Sequence, residues 1–445
     1  MYIPLASIPS LLNDAMPPLP LDKPANFSLE TSGALGLLGG DDAVSAIATT
    51  HLYGNRRWLG WYNAPGSFQL FKRLGLFARS VSPTSFLSGS VHTDPRTLLK
   101  SDACKGPKFR AAHSGTVMEE TGYLAALFMK GCAAWESEGI VVSGRKTRPV
   151  GITIANLGQV PESEIRPTSN SASAVFFASI PIVASVGTCA LCTAAGDLWA
   201  SSLILVGIVA SGLSCLVLGS ADFMFTHPVP AKGSPAGDGI LGSDNDMVLL
   251  KGKEGAVNAI TRGSFSLCFS SKNHFNLIRW CSRLFLVQCI MQLLLIPQAS
   301  LLGQIMFLIS FGVSALYNAW LSSMDKEKIH GKFLFDQVLE YPRLTKYTLG
   351  TRTSAVVFTL LILQPQDPRG LLNELLPNDT KVWKQWKETI LEQLRHRNDQ
   401  SFHVGDKVGY LDGFTQQEKD LLAMLYEDAQ AAYDGYKDYL QANSL

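Results

Sequence analysis

Charged residues are scarce in this chain, and three long stretches have none. Only 17% of the 445 residues are Asp, Glu, Lys or Arg. Residues 167–196, 198–221 and 284–324 carry no charge at all. A helix needs about twenty apolar residues to cross a bilayer, and the last stretch is long enough for two such helices. The composition therefore argues against a chain that is soluble along its whole length.

The chain also lacks an overall charge. It has 38 basic and 37 acidic residues, which gives a formal net charge of +1 at pH 7. The strong positive field that draws a protein to nucleic acid is therefore absent. We expect no nucleic-acid partner.

Cysteines are few and scattered, which is not the pattern of a disulfide framework. Four of the eight, Cys189, Cys192, Cys215 and Cys289, fall inside the apolar stretches, where they resemble small packing residues. Cys189 and Cys192 match the spacing C-x-x-C, but neither a second pair nor a histidine is close in sequence. We predict no metal site and no bound cofactor.

Sequence motifs of catalysis are missing as well. The chain contains neither G-x-S-x-G nor H-E-x-x-H, and its eight histidines are far apart. A membrane-embedded enzyme whose site is assembled only by the fold stays open as an alternative. Its loosely suggested candidates are His113, Asp244, Asp246 and His274.

The apolar stretches pair into two hairpins. Asp197 alone separates the first two stretches, and Pro297-Gln298-Ala299-Ser300 interrupts the third near its middle. We predict transmembrane hairpins at residues 167–222 and 277–324. The predicted fold class is a polytopic α-helical membrane protein with four spans, and its first partner is the lipid bilayer.

Basic residues predict the orientation of these spans. The two turns inside the hairpins carry no Lys or Arg, whereas the other three flanks carry many. The positive-inside rule then places both termini and the central loop in the cytoplasm. The rule does not specify an organelle.

The sequence outside the spans is predicted to form four cytosolic regions. Residues 1–30 are a proline-rich tail, and residues 31–166 are a mixed α+β region. Residues 223–276 form a loop with a β-hairpin, predicted as two strands around a glycine turn at residues 247–257. Residues 325–445 are mainly helical.

One further apolar segment, residues 353–366, is too short to span a bilayer comfortably. We predict that it is a buried or re-entrant helix. If it crossed the membrane, the C-terminus would lie outside and the chain would have five spans.

Small residues recur at every fourth position in the first hairpin. Side chains of this size allow helix backbones to approach closely in lipid. We therefore predict that the two helices pack tightly. The two rows are Ala184, Thr188, Cys192 and Gly196 in the first helix, and Gly207, Ser211, Cys215 and Gly219 in the second.

Polar residues in the second hairpin are uncharged. Gln288 and Gln292 lie one turn apart, and Gln304 and Asn318 follow in the next helix. They predict either hydrogen bonds between helices or a pathway for a small uncharged solute. The spans contain no ionisable residue of the kind that ion-coupled transporters use, which favours the first interpretation.

Two segments combine aromatic and basic residues. Between Arg56 and Arg79 the mixture predicts either a segment at the membrane surface or an amphipathic core segment. Residues 381–397 form a basic amphipathic helix that carries Trp383 and Trp386 on its apolar stripe. This helix either contacts lipid or a partner protein, or packs against the last helix.

Three short motifs lie beside and after the last apolar stretch. They are Leu321-Ser-Ser-Met-Asp-Lys-Glu-Lys-Ile329, Leu349-Gly-Thr-Arg-Thr353 and Leu376-Pro-Asn-Asp-Thr-Lys-Val-Trp383. In these motifs the chain resembles a group of multi-pass membrane proteins predicted in mushroom-forming fungi, over about residues 248–386. The group has no assigned activity, so the resemblance implies a membrane protein and transfers no catalytic residue.

Taken together, the sequence predicts a non-enzymatic membrane scaffold whose cytosolic parts bind a protein partner or the lipid surface. The alternative is a transporter or channel for a small uncharged solute, and the third possibility is the membrane-embedded enzyme. The oligomeric state does not follow from the sequence.

Overall fold

The chain folds into two compact units, each built from three separate parts of the sequence. The computed structural model describes residues 39–51, 56–80, 91–93, 105–135, 139–158, 160, 172–242, 246–269, 273–395 and 413–443. The four-helix unit comprises Met1–Asp102, Arg166–Met224 and Phe265–Lys326. The sheet unit comprises Ala103–Ile165, Phe225–Ser264 and Glu327–Leu445.

The elements are numbered in chain order within the described residues. The α-helices are α1 (Gly40–Ala48), α2 (Ser67–Ser80), α3 (Tyr123–Ala134), α4 (Ala172–Ala194), α5 (Leu198–Leu218), α6 (Glu254–Thr261), α7 (Asn273–Leu295), α8 (Leu301–Ser322), α9 (Lys326–Phe333), α10 (Arg352–Leu363), α11 (Pro368–Leu375), α12 (Lys381–Arg395) and α13 (Gln416–Asn443). The strands are β1 (Val91–Thr93), β2 (Lys108–Ala111), β3 (Val117–Met118), β4 (Ile140–Val141), β5 (Val150–Asn156), β6 (Asp222–Thr226), β7 (Gly239–Gly242), β8 (Asp246–Lys251), β9 (Ser264–Phe269) and β10 (Arg343–Leu349).

Four helices are long and apolar enough to cross a membrane, as the sequence predicts. They are Val175–Ala194, Leu198–Leu218, Asn273–Gln298 and Leu301–Ser322, with a mean hydropathy between 1.5 and 2.3. Their 20 to 26 residues match the length that a bilayer requires.

A single carboxylate joins the turns of the two hairpins. Asp197 caps the start of α5 by accepting a hydrogen bond from the Ala200 amide at 3.0 Å. Its other oxygen accepts hydrogen bonds from the amide and the hydroxyl of Ser300, both at 2.7 Å. Ser300 in turn caps α8 through the Gly303 amide. The Asp197 carboxylate, which separates the first two apolar stretches, therefore links the start of α5 to the start of α8.

The four long helices have apolar outer faces and polar inner faces. Leu316 is 74% exposed and Val183 is 69% exposed, while Gln288 and Ser310 are fully buried. This distribution is the reverse of that in water-soluble proteins, where large apolar side chains are buried. The outer face of the bundle therefore suits an apolar solvent.

Residues 39–80 belong to the four-helix unit, which differs from the predicted cytosolic region 31–166. Helix α1 packs on α8, and α2 packs along α7. Residues 56–66, which we call the inserted segment, run along α5 from Gly219 to Gly207. The sequence did not predict this placement, because the aromatic residues of the segment suit a core and a membrane surface equally well.

The sheet unit contains a seven-stranded mixed sheet. The strand order is β3-β2-β7-β8-β5-β10-β4, in which β5 pairs in parallel with β8, and β10 with β4. The strands come from three distant parts of the chain. Most of the regions predicted separately at residues 223–276 and 325–445 therefore folds together with residues 105–160, whereas residues 265–276 belong to the four-helix unit. In the described part of the chain, β1, β9 and β6 form a second sheet of three strands.

Helix α10, the short apolar segment of the sequence analysis, is the central helix of the sheet unit. From Thr353 to Leu363 every side chain is buried. The helix packs on the sheet beside Ile152 and Leu249, and α13 covers it. Of the two predicted alternatives, the structure therefore shows the buried helix.

The central region contains a β-hairpin, but its strands are β7 and β8 and not the two strands predicted at residues 247–257. Strands β7 and β8 pair antiparallel, with Gly239 opposite Leu250. The chain after Gly252 forms helix α6 instead of a second strand. Its buried residues Ala256, Val257, Ala259 and Ile260 follow helical spacing, a pattern that is too short in sequence to be separated from a strand.

Candidate functional site

A cluster of buried polar side chains lies inside the four-helix unit. Each is at most 1% exposed, and they come from α4, α7, α8, the chain between α1 and α2, and the first residue of α2. Ser185, Gln288 and Ser310 lie near the middle of their helices. We call this cluster the polar centre; its members are Arg56, Tyr62, Asn63, Ser67, Ser185, Gln288, Gln292, Ser310 and Asn318.

The polar side chains of the long helices bind the inserted segment and the start of α2. Gln288 donates from Nε2 to the Ala64 carbonyl at 3.2 Å, and the Asn63 amide donates to the Ser185 hydroxyl at 3.0 Å. Ser67 donates to Gln292 Oε1 at 2.9 Å. Non-helical backbone inside an apolar bundle requires such partners, because an unpaired backbone amide or carbonyl is costly in apolar surroundings. These side chains therefore hold irregular backbone inside the bundle.

Arg56 brings a positive charge into the polar centre. Its Nη1 donates to the Leu59 carbonyl at 3.0 Å, and its guanidinium lies over the Tyr317 ring at 5.4 Å. Within the described residues no carboxylate lies within 4 Å of it. Arginine keeps its proton in proteins, so the charge persists although the side chain is 1% exposed. An ionised group buried without a counter-charge is costly and in a membrane bundle points to function.

A short hydrogen-bond chain extends from Arg56. Tyr62 donates to Asn318 Oδ1 at 2.8 Å, and the second guanidinium nitrogen lies 3.4 Å from the Tyr62 hydroxyl. The Tyr62 and Tyr317 rings meet edge to face with centroids 5.5 Å apart. The Tyr317 ring therefore stabilises the cation, for which the described residues supply no carboxylate partner.

Several buried polar atoms in and beside the polar centre have no hydrogen-bond partner among the described residues. Buried polar groups are nearly always bonded to protein or to ordered water. These atoms therefore mark places where water or a small polar solute would bind. They are Arg56 Nε, both amide atoms of Asn63, Ser211 Oγ, Gln288 Oε1, Gln292 Nε2, Ser314 Oγ and the Tyr317 hydroxyl.

The small residues of α5 lie against the inserted segment. A β-carbon at Gly207 would collide with Asn63, and one at Gly219 would collide with Arg57. Cys215, between them, lies against Gly60, and Ser211 is buried on the same face. These small residues of α5 therefore allow residues 57–63 to pack closely against the helix.

The row on α4 is less buried. Thr188 and Cys192 are buried, Ala184 is half-buried and Gly196 is exposed at the helix end. Helices α4 and α5 do contact each other. Near their shared turn, the Thr193 and Ser201 hydroxyls are 2.6 Å apart.

Of the four residues predicted to line a polar pathway, three lie together in the polar centre: Gln288, Gln292 and Asn318. Gln304 lies elsewhere, at the turn between α7 and α8. It donates to the Ile296 carbonyl at 3.2 Å and to the Ala299 carbonyl at 3.1 Å. Its role is therefore to close the turn.

Trp386 is a core residue of the sheet unit, which corrects the predicted interfacial contact. Its side chain is fully buried, and its Nε1 donates to the Leu425 carbonyl on α13 at 3.0 Å. Trp383 is partly buried and packs against the same core. The alternative in which this helix packs against the last helix is the one that the structure shows.

Described residues of the sheet unit line at least two cavities. One, of about 410 Å³, has the cations Lys108, Arg110 and Arg352 at its rim. The other, of about 500 Å³, includes Cys132 and Lys346 in its lining. Burial raises the pKa of the Cys132 thiol to about 12, so the thiol is protonated and unreactive at neutral pH.

Of the loosely suggested catalytic residues, the sheet unit contains His113 and Asp246. His113 lies 3.8 Å from Asp238, and Asp246 lines the larger cavity. His274 belongs to the other unit, and Asp244 lies outside the described residues. Among the described residues no group of three or more His, Cys, Asp or Glu is arranged to hold a metal.

Comparison with models of protein families, with curated proteins and with solved structures finds no match. The resemblance to fungal multi-pass membrane proteins therefore stays a prediction.

Sequence reasoning missed Arg56 and the inserted segment. The four long helices carry charge at Arg279 and Arg283, which are both exposed, so the sequence does not predict a buried charge in the bundle. A signal was nevertheless available in two places. Gly60 and Gly66 interrupt the aromatic segment, and the small residues of α5 offer a surface that accepts such a segment.

Proposed function

We propose that this chain is an integral membrane protein with four spans and with both termini in the cytoplasm. The reversed polarity of the four-helix unit carries the proposal, because large apolar side chains on the outer face favour lipid tails over water. The basic flanks of the two hairpins support the orientation.

The sheet unit acts as a cytosolic binding domain that the four spans tether to a membrane. It has a hydrophobic core of its own, which includes Trp386 and Phe358, and it contains cavities of a size that suits small ligands. The proposal rests on these cavities as binding sites. The proposed activity is therefore non-enzymatic scaffolding or ligand binding at the membrane surface.

Passage of a small solute through the bundle is a second candidate, which the polar centre favours. A buried Arg56 without a carboxylate partner in the described residues, together with unpaired hydroxyls, suits a small anion or a polar solute. The close packing of Gly207 on Asn63 corresponds to a closed bundle. Such passage would require the inserted segment to move.

Chloride flux through liposomes that contain the full chain separates the two functions. The tethered binding domain predicts flux no faster than in protein-free liposomes. The solute pathway predicts flux that Arg56→Gln abolishes and that Arg57→Gln leaves intact, because the neighbouring Arg57 is exposed. Alkaline carbonate extraction tests the membrane assignment itself. A chain released into the supernatant would contradict both functions.

A further inference from the structure

We propose that the 410 Å³ cavity of the sheet unit binds an amphiphilic anion, with a phosphate or carboxylate head at its rim and an apolar body on its floor. The inference deepens the proposed function, because it names the ligand class of the tethered domain. It rests on the side chains that line the cavity, on their charges and on the space that they leave.

One face of the sheet supplies both the cations and the apolar floor. Lys108 and Arg110 alternate along β2, so their side chains point to the same face. Their neighbours on β7 are Gly242 and Ile240, and Gly242 in turn pairs with Met247 on β8. The cations and the apolar residues of these three strands therefore lie side by side.

Two helices complete the cavity. Arg352, the first residue of α10, adds a third cation to the lining. Helix α11 contributes Leu371 and Leu375 to the apolar surface and Glu374 to the rim. The result is a concave site with an apolar interior and a few charged groups, as is usual for small-molecule sites.

The charges of the rim are unbalanced. Three cations face one lining carboxylate, which leaves a formal charge of +2. Glu374 pairs with Arg110 and lies 2.9 Å from Lys108, which is also 3.0 Å from the exposed Glu119. No carboxylate lies within 4 Å of Arg352 in the described part of the chain. An anionic head would contact Arg352 and compete with Glu374 for the other two cations.

Space on the floor admits the apolar part of a ligand. Gly242 lines the cavity, and among the described residues a β-carbon there would meet only the Ile240 side chain, at 3.7 Å. Valine is therefore tolerated at this strand position and fills part of the cavity without altering its charge.

The test is calorimetric titration of the full chain, in nanodiscs of phosphatidylcholine, with hexyl phosphate. We expect saturable binding that exceeds the binding of inorganic phosphate and of hexanol, because head and body both contribute. Empty nanodiscs measure partition of the probe into lipid. If the chain binds hexyl phosphate no better than empty nanodiscs do, the proposal is overturned.

Four variants identify the cavity as the site. Arg352→Gln and Gly242→Val should each weaken binding about tenfold, by loss of a charged hydrogen bond and by loss of space. Glu374→Gln should strengthen binding several-fold, since it removes the competing carboxylate, and damage to the fold would not produce a gain. Arg369→Gln, on the exposed outer side of α11 where Arg369 pairs with Glu388, should have no effect. If Arg352→Gln and Arg369→Gln weakened the binding of hexyl phosphate equally, the probe would be attracted only diffusely to a basic surface, and this result would contradict the proposal.

The source of the head group is tested by adding phosphatidic acid to the nanodiscs. Weaker apparent binding of hexyl phosphate there identifies a bilayer lipid as the occupant, whereas unchanged binding identifies a free phosphate monoester. Carbonate extraction is independent of this titration. If the titration shows no binding but the chain stays in the membrane fraction, the proposed ligand is wrong and the proposal of a membrane-tethered domain is unaffected.

Discussion

Removal of the Asp197 carboxylate should open the contact between the two hairpin turns. The side chain is 8% exposed and accepts three hydrogen bonds, one from Ala200 and two from Ser300. Hydrogen bonds to charged groups contribute about 1.5–3 kcal/mol each, and loss of a helix cap costs about 1 kcal/mol. Because these contributions overlap, we expect Asp197→Ala to lower the free energy of unfolding by about 3–5 kcal/mol.

Asp197→Asn should lower the free energy of unfolding by about half as much as Asp197→Ala. Its single amide oxygen can accept the hydrogen bonds of either the α5 cap or Ser300 but not of both. The assay is unfolding of the purified chain in a mild detergent by added dodecyl sulfate. Glu388→Gln is the matched control, because Glu388 forms only an exposed pair with Arg369. A loss of less than about 0.5 kcal/mol in Asp197→Ala, within the range of surface substitutions, would refute the role of this contact.

Three further predictions concern the sheet unit. Trp386→Ala should destabilise this unit by about 3–5 kcal/mol in thermal unfolding, and Trp383→Ala by clearly less, because only Trp386 is fully buried; equal losses would contradict this. Hydrogen bonds from Thr415 lower the pKa of Glu418 in the folded state, so their stabilisation is present above the unfolded pKa and is lost as pH falls through the folded pKa. Hydrogen exchange at the start of α13 should therefore quicken on acidification, and a similar pH response in Glu418→Gln would exclude this cause. Iodoacetamide should leave Cys132 unmodified at pH 8 until the chain is denatured, and rapid labelling of the native chain would show that its thiol is not held in the protonated form.

The four long helices could be predicted from the sequence because their signal is local. A run without charge and of bilayer length needs no knowledge of its neighbours. The turn residues were also visible, since Asp197 and Pro297 interrupt the apolar runs. That Asp197 binds Ser300 could not be predicted, because that contact joins two turns far apart in the chain.

The polar centre could be predicted only in part. Gln288, Gln292 and Asn318 were identifiable as polar residues in apolar helices. Their partners come from the inserted segment, and the pattern of that segment does not distinguish burial from a surface position. Arg56 illustrates the difficulty, because arginine is rarely buried without a carboxylate.

The sheet was the least predictable feature. Strand β5 was visible from its β-branched residues, but its neighbours β8 and β10 come from distant parts of the chain. Which strands pair depends on long-range packing, which a pattern of hydrophobic residues does not encode. Helix α10 was predicted as buried or re-entrant only because it is too short to span, and the sequence does not separate these two alternatives.

Protease protection in sealed microsomes reports directly on the topology of the chain. The full chain carries a tag at each terminus, and protease is added from the cytosolic side with and without detergent. If the chain has four spans and both termini in the cytoplasm, both tags are digested in intact microsomes, while the hairpins near residues 167–222 and 277–324 survive. Protection of the C-terminal tag that is lost on adding detergent would contradict four spans with both termini in the cytoplasm.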